Sequence, residues 1–94
     1  MAAYTYVLKS LKDQRLYVGA TRLEVSQRLQ RHNAGDITST KNRRPLILLH
    51  YETFNDYSGA RKRELYLKTG SGREHLLRIL ENRAGTQAAK GDRL

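Results

Sequence analysis

Tyr4-Thr5-Tyr6-Val7-Leu8, followed after a short gap by Leu16-Tyr17-Val18-Gly19-Ala20, decides how the chain is read. Both runs are rich in Tyr, Val, Leu and Thr, residues that suit a pleated, half-buried surface. They predict strands over 4–10 and 15–20, with Lys12-Asp13-Gln14-Arg15 as the hairpin loop. Side chains alternate along a strand. A pairing such as Leu11 with Leu16 therefore puts Tyr6 and Tyr17 on one face, and a slip of one residue separates them. Gly19 falls on that same face and leaves space where a side chain would stand.

Downstream, Thr21-Arg22-Leu23-Glu24 has the form of a capping box and predicts a helix from about 22 to 34, ending at Gly35. Val25 and Leu29 mark its apolar stripe, with Arg28 and His32 stacked one turn apart on the stripe's edge. Residues 35–45 read as a polar loop whose hydroxyls and cations, Lys41, Arg43 and Arg44, suit a phosphate backbone or plain solvent. Leu46-Ile47-Leu48-Leu49-His50-Tyr51 is an apolar run consistent with a strand covered on both sides.

Asn55 or Asp56 can cap a second helix, about 56 to 68. Ser71-Gly72-Arg73-Glu74 is another capping box and predicts a third helix, about 72 to 82, with Leu76, Leu77 and Leu80 on its apolar face. Residues 84–94 show no periodicity and are expected to be a frayed or disordered tail, which leaves 1–83 as the folded domain. The order strand, strand, helix, strand, helix, helix is that of a small α/β fold, a three-stranded sheet flanked by helices.

The 94 residues suffice for one domain. Cysteine is absent, which excludes disulfides and thiolate metal centres. No apolar run approaches the roughly 18 residues of a membrane helix, and no signal-like segment is present, so no membrane partner and a cytoplasmic location are expected. Eighteen Lys and Arg against nine Asp and Glu give a formal charge of +9. That excess favours a polyanionic partner, since every phosphate neutralised releases counterions.

One acid stands out. A helical period over 56–68 groups Tyr57, Ala60, Glu64 and Leu67 on one stripe. An acid inside an apolar stripe needs a partner or a metal. Ion pairs with Lys68 or Arg61, a turn away on either side, satisfy that need as well as a cation does. Tyr6, Tyr17, Arg28 and His32 each admit an ordinary structural role too. Their weight lies in combination and order.

In that order they resemble the GIY-YIG nuclease superfamily, in its small single-domain members. Tyr4-Thr5-Tyr6 stands where the family has Gly-Ile-Tyr, and Tyr17-Val18-Gly19 forms the second motif. Gln27-Arg28-Leu29-Gln30-Arg31-His32 carries the family's arginine and histidine at Arg28 and His32. Ser39-Thr40-Lys41-Asn42-Arg43-Arg44-Pro45 is similar to the basic loop of these members, and Arg61-Lys62-Arg63-Glu64 brings the family's glutamate to Glu64. The likeness runs over residues 3 to 80.

The resemblance implies a divalent-metal-dependent endonuclease acting on nucleic acid, with DNA favoured, in repair or recombination. The alternative is a non-catalytic DNA- or RNA-binding module on the same fold. The implied cofactor is Mg²⁺ or Mn²⁺ on Glu64. One carboxylate is enough for a Mg²⁺ completed by water and phosphate oxygens, and no acidic cluster for two metals is evident. By the same resemblance Tyr6 prepares the attacking water, helped by Tyr17 or His32, while Arg28 and the metal favour its phenolate. Arg28 also steadies the charge that builds on the phosphate. Gly19, Lys41, Arg43, Arg44 and Lys68 are the expected contacts to nucleic acid. The polar residue that better-studied members place after the glutamate has no assignable counterpart. No additional DNA-binding domain is evident in the sequence, so substrate choice is expected from the domain, a homodimer or an accessory protein.

Overall fold

A computed structural model describes the backbone of residues 1–92 and the side chains of residues 1–82. The chain runs β1 (Ala3–Ser10), β2 (Leu16–Thr21), α1 (Val25–Asn33), a 3-10 turn (Lys41–Arg43), β3 (Leu46–Phe54), α2 (Tyr57–Leu67) and α3 (Gly70–Asp92). The three strands form one antiparallel sheet in the order β2-β1-β3. The α/β architecture and its element order are as the sequence predicts. The described backbone of α3 continues to Asp92, past the helix end expected near 82 and into the expected tail over 84–94, whose last two residues lie outside the described backbone.

β1 is the middle strand and carries core on both faces. Tyr6, Leu8 and Leu46 pack with Tyr17, Val25, Leu29 and Leu48 on the face covered by α1. Val7 and Val18 pack with Leu67 and Leu76 on the other, under α2 and α3. The buried Thr5 hydroxyl hooks β1 to α2 by donating to the Ala60 carbonyl at 2.7 Å. Asn33, at the end of α1, clasps the start of β3. Its side chain donates to the Leu46 carbonyl at 2.9 Å and accepts from the Leu46 N–H at 2.8 Å.

The hairpin register differs from the Leu11–Leu16 pairing by two residues: Tyr6 faces Gly19, Leu8 faces Tyr17 and Lys9 faces Leu16. A shift of two preserves faces, so Tyr6, Tyr17 and Gly19 still share one. The cause is Ser10. Its buried hydroxyl accepts from the N–H groups of Lys12 and Asp13 while its own N–H donates to the Arg15 carbonyl. This draws the turn back toward β1, and Gln14 takes a left-handed φ of 65° to close it.

Three further expectations are corrected. First, α1 begins at Val25 and not near 22. Thr21 ends β2, and its hydroxyl accepts from the Leu23 N–H at 3.0 Å, a local turn that outcompetes the cap. Glu24 occupies the N-cap without a side-chain cap bond, and its carboxylate accepts from the Tyr4 hydroxyl instead. Second, α3 is capped by Thr69, whose hydroxyl accepts from the Gly72 N–H at 3.0 Å, so the helix opens at Gly70. Third, β3 is an edge strand and is not covered on both sides. α2 packs mainly over β1 and β2, which leaves Ile47 exposed on that face, and Tyr51, paired with Tyr6 on the opposite face, is exposed as well.

Other local signals hold. Asp56 caps α2, its side chain accepting from the Gly59 N–H. Gly35, with φ 85°, ends α1 through the paired bonds Gly35 N–H to His32 carbonyl and Asp36 N–H to Arg31 carbonyl.

Candidate active site

The hairpin and α1 together build the site. Gly19 lies directly across from Tyr6, and a Cβ there would land on the Tyr6 hydroxyl and ring. The space expected at Gly19 is thus filled by the Tyr6 ring rather than left for nucleic acid. Arg28 and His32, one turn apart on α1, both reach the Tyr6 hydroxyl. Arg28 Nε donates to it at 3.1 Å, and His32 Nε2 lies 2.8 Å away. His32 is not at the edge of the helix face, as the sequence suggests, but wholly buried. The Tyr17 ring packs edge-on against His32 with centroids 5.2 Å apart, and 6.4 Å from the Tyr6 ring. Ser39 Oγ lies 3.5 Å from the Tyr17 hydroxyl.

His32 has a second partner that sequence reasoning passed over. Its Nδ1 is 2.7 Å from Oγ1 of Thr40, which is also fully buried. Thr40 lies eight residues downstream across an irregular loop, where no periodicity can place a side chain.

Burial pushes the Tyr6 phenol up to about 12, against the pull of the Arg28 guanidinium. Burial, and then the Arg28 charge, press His32 down to about 4. At neutral pH the pair is therefore a neutral phenol beside a neutral imidazole. Arg28 does draw the phenol toward phenolate, as expected from the sequence, but desolvation outweighs its charge. A guanidinium can only donate, so the Tyr6 oxygen accepts from Arg28. Among the described residues the Tyr6 proton has one acceptor, His32 Nε2. Nδ1 then carries the imidazole hydrogen and donates to Thr40. In that tautomer the Tyr6 hydroxyl and both His32 ring nitrogens are satisfied.

Glu64, at 4% exposure, is buried on α2. Its Oε1 accepts from Arg61 Nη1 at 2.6 Å and its Oε2 from Lys68 Nζ at 2.7 Å, so both ion pairs weighed from sequence exist together. Burial raises its pKa, but the hydrogen bonds from Lys68 and Arg61 outweigh this and hold the carboxyl below its usual range. Lys68 links Glu64 to the tyrosines, its ammonium lying 5.7 Å from the Tyr17 ring centroid.

No group of three or more His, Cys, Asp or Glu is placed to hold a metal ion among the described residues. The buried, ionised carboxylate of Glu64, outside any such group, fits a single hard cation that completes its shell with water and phosphate oxygens. The side chains of Arg61 and Lys68 are about half exposed and can give way to such an ion.

The basic loop divides. Arg43 Nε pairs with Asp13 at 3.1 Å and its Nη2 lies 3.5 Å from the Leu16 carbonyl, which fastens the loop to the hairpin. Lys41 and Arg44 are exposed and, with Lys12, line a polar cleft of about 430 Å³. Lys12 was not among the sequence candidates.

Comparison with known proteins places these residues in context. The family of the GIY-YIG catalytic domain matches residues 2–76, a span holding Tyr6, Tyr17, Arg28, His32 and Glu64. A UPF0213 protein of Staphylococcus haemolyticus is 42% identical over 81 residues, covering 85% of this chain and 95% of the relative. A UPF0213 protein of Syntrophus aciditrophicus is 41% identical over 81 residues, covering 84% and 91%. The solution NMR structure of a UPF0213 protein from Bacillus halodurans is similar with a TM-score of 0.50 at 28% identity, covering 84% of this chain and 85% of that one.

Proposed function

Because the chain belongs to the GIY-YIG catalytic domain family, a nuclease family, we propose that it is a divalent-metal-dependent endonuclease that hydrolyses phosphodiester bonds in nucleic acid, with DNA the favoured substrate. The observation that carries the reading is the buried Tyr6 hydroxyl, held between Arg28 Nε and a neutral His32 Nε2.

In this reading Tyr6 does not need to rest as phenolate. Its oxygen takes a proton from the attacking water as its own proton passes to His32 Nε2. The imidazole is neutral at working pH and so offers Nε2 a free lone pair, while the imidazolium it forms is transient, since burial and Arg28 disfavour it. Thr40 receives the Nδ1 hydrogen and holds the ring in the tautomer that leaves Nε2 bare. Arg28 uses only Nε on Tyr6, and its Nη groups have no partner among the described residues. They are the donors for the charged phosphate, in the planar fork that suits it. Glu64 is the residue to hold Mg²⁺ or Mn²⁺, which when bound supplies charge neutralisation at the phosphate and acidifies water.

A second reading has one observation behind it. With both oxygens paired, Glu64 can serve as the strut between Arg61 and Lys68 in a non-catalytic DNA- or RNA-binding module. Incubation of labelled nucleic acids with wild type and Glu64→Gln, with and without Mg²⁺ or Mn²⁺, separates the two. We expect wild-type cleavage only with metal, lowered by several orders of magnitude in Glu64→Gln, with binding retained. Binding by both proteins and cleavage by neither favours the binding module. Equal turnover by the two overturns the metal assignment.

A further inference from the structure

β2 is an edge strand, and a cleft of about 490 Å³ opens between it and α3. That volume is within the range of about 300–1,000 Å³ that small-molecule sites occupy. We propose that this cleft receives one unpaired nucleobase of the bound strand, beside the phosphate that reaches Tyr6 and Arg28. The proposal deepens the nuclease reading and rests on nucleic acid being the ligand.

Position is the first support. Two residues belong to both places. Tyr17 packs on His32 in the catalytic cluster and also lines the cleft. Lys68 pairs with Glu64 and lines the cleft as well. A strand whose phosphate reaches the cluster therefore runs beside residues that also line the cleft.

Chemistry is the second support. Leu76 and Leu77 supply an apolar wall, and Leu77 is 59% exposed, a large hydrocarbon surface left in water. Arg15, Lys68 and Arg73 supply positive charge around it. The Arg15 and Arg73 side chains have no carboxylate partner among the described residues. An apolar wall edged by unpaired cations matches a base with a phosphate on either side. The other basic cleft, with Lys12, Lys41 and Arg44, includes no leucine, isoleucine, valine or aromatic ring and suits backbone alone. A base paired and stacked in duplex cannot present its faces to Leu77, so the occupant is an unpaired or extruded nucleotide.

The test uses the full chain, without metal so that no strand is cut, and short labelled single-stranded oligonucleotides. Each carries one abasic position, moved stepwise along the strand. We expect one position at which base removal weakens binding roughly five- to a hundredfold. The neutral surface substitution Leu77→Gln should weaken the intact strand by a similar factor and leave that abasic strand unchanged. A flat abasic scan overturns the proposal, as does an equal loss on both strands in Leu77→Gln. A Leu77-dependent dimer without base dependence overturns it too, and gives the cleft to a second copy. These outcomes are independent of turnover. A protein that never cuts can show the base dependence, and a protein that cuts can lack it.

Discussion

Acidification should destabilise this protein in a window set by one buried imidazole. His32 is wholly buried, with both nitrogens engaged, and its pKa falls from 6.5 to about 4. For a base whose folded pKa is depressed, the unfolded chain binds the extra proton between the two values. Stability is therefore fully present above pH 6.5 and is lost as pH falls toward 4. At about 1.4 kcal/mol for each pH unit in that window, the loss is about 3 kcal/mol. That is a large share of the 5–15 kcal/mol typical of a folded domain. Glu52 and Glu64 have folded pKa values below 4.5, and Asp13 below 3.8, so their stabilisation is lost only at lower pH. Urea denaturation followed by circular dichroism at pH 7, 6, 5 and 4.5 reads the slope, and NMR of the His32 ring reads its titration directly. His32→Gln is the control and should show a shallower slope whatever its absolute stability. The same slope in wild type and variant, or a His32 ring that titrates near 6.5, would refute the buried neutral imidazole and with it the proton relay from Tyr6.

Three smaller perturbations test neighbouring links. Gly19→Ala places a methyl on the Tyr6 ring and should cost about 1–3 kcal/mol, with slowed cleavage in the folded fraction; an unchanged denaturation midpoint would show that Tyr6 does not lie on Gly19. Thr40→Val leaves the His32 Nδ1 hydrogen without an acceptor, at about 1–3 kcal/mol. ¹⁵N NMR should then report a mixture of imidazole tautomers that Thr40→Ser restores to one, and an unaltered tautomer in Thr40→Val would remove Thr40 from its positioning role. Replacing Lys41 and Arg44 together by Ala should reduce the salt slope of duplex DNA binding by about 2. Arg43→Ala should instead lower stability through the lost Asp13 pair and leave the slope alone, and the reverse pattern would mean the loop's roles are exchanged.

The sequence by itself determined the element order and the shared face of Tyr6, Tyr17 and Gly19. It also determined the helical spacing of Arg28 with His32 and the conflict of an acid in the apolar stripe at Glu64. Each of these follows from a local period, two residues along a strand or 3.6 along a helix, and a period survives small errors in register. The hairpin shows this well, since a two-residue shift changed every partner and no face. Competition was not legible. Thr21 chose a turn over a cap, and β3 fell at an edge where its apolar run is only half covered. Tertiary structure alone decided that Thr40 meets His32 and that Arg43 fastens the loop while Lys41 and Arg44 face solvent. It also decided that burial pushes the Tyr6 phenol up to about 12 in spite of Arg28. Contacts across an irregular loop carry no period, and the protonation of a buried group depends on how much water the whole fold excludes from it.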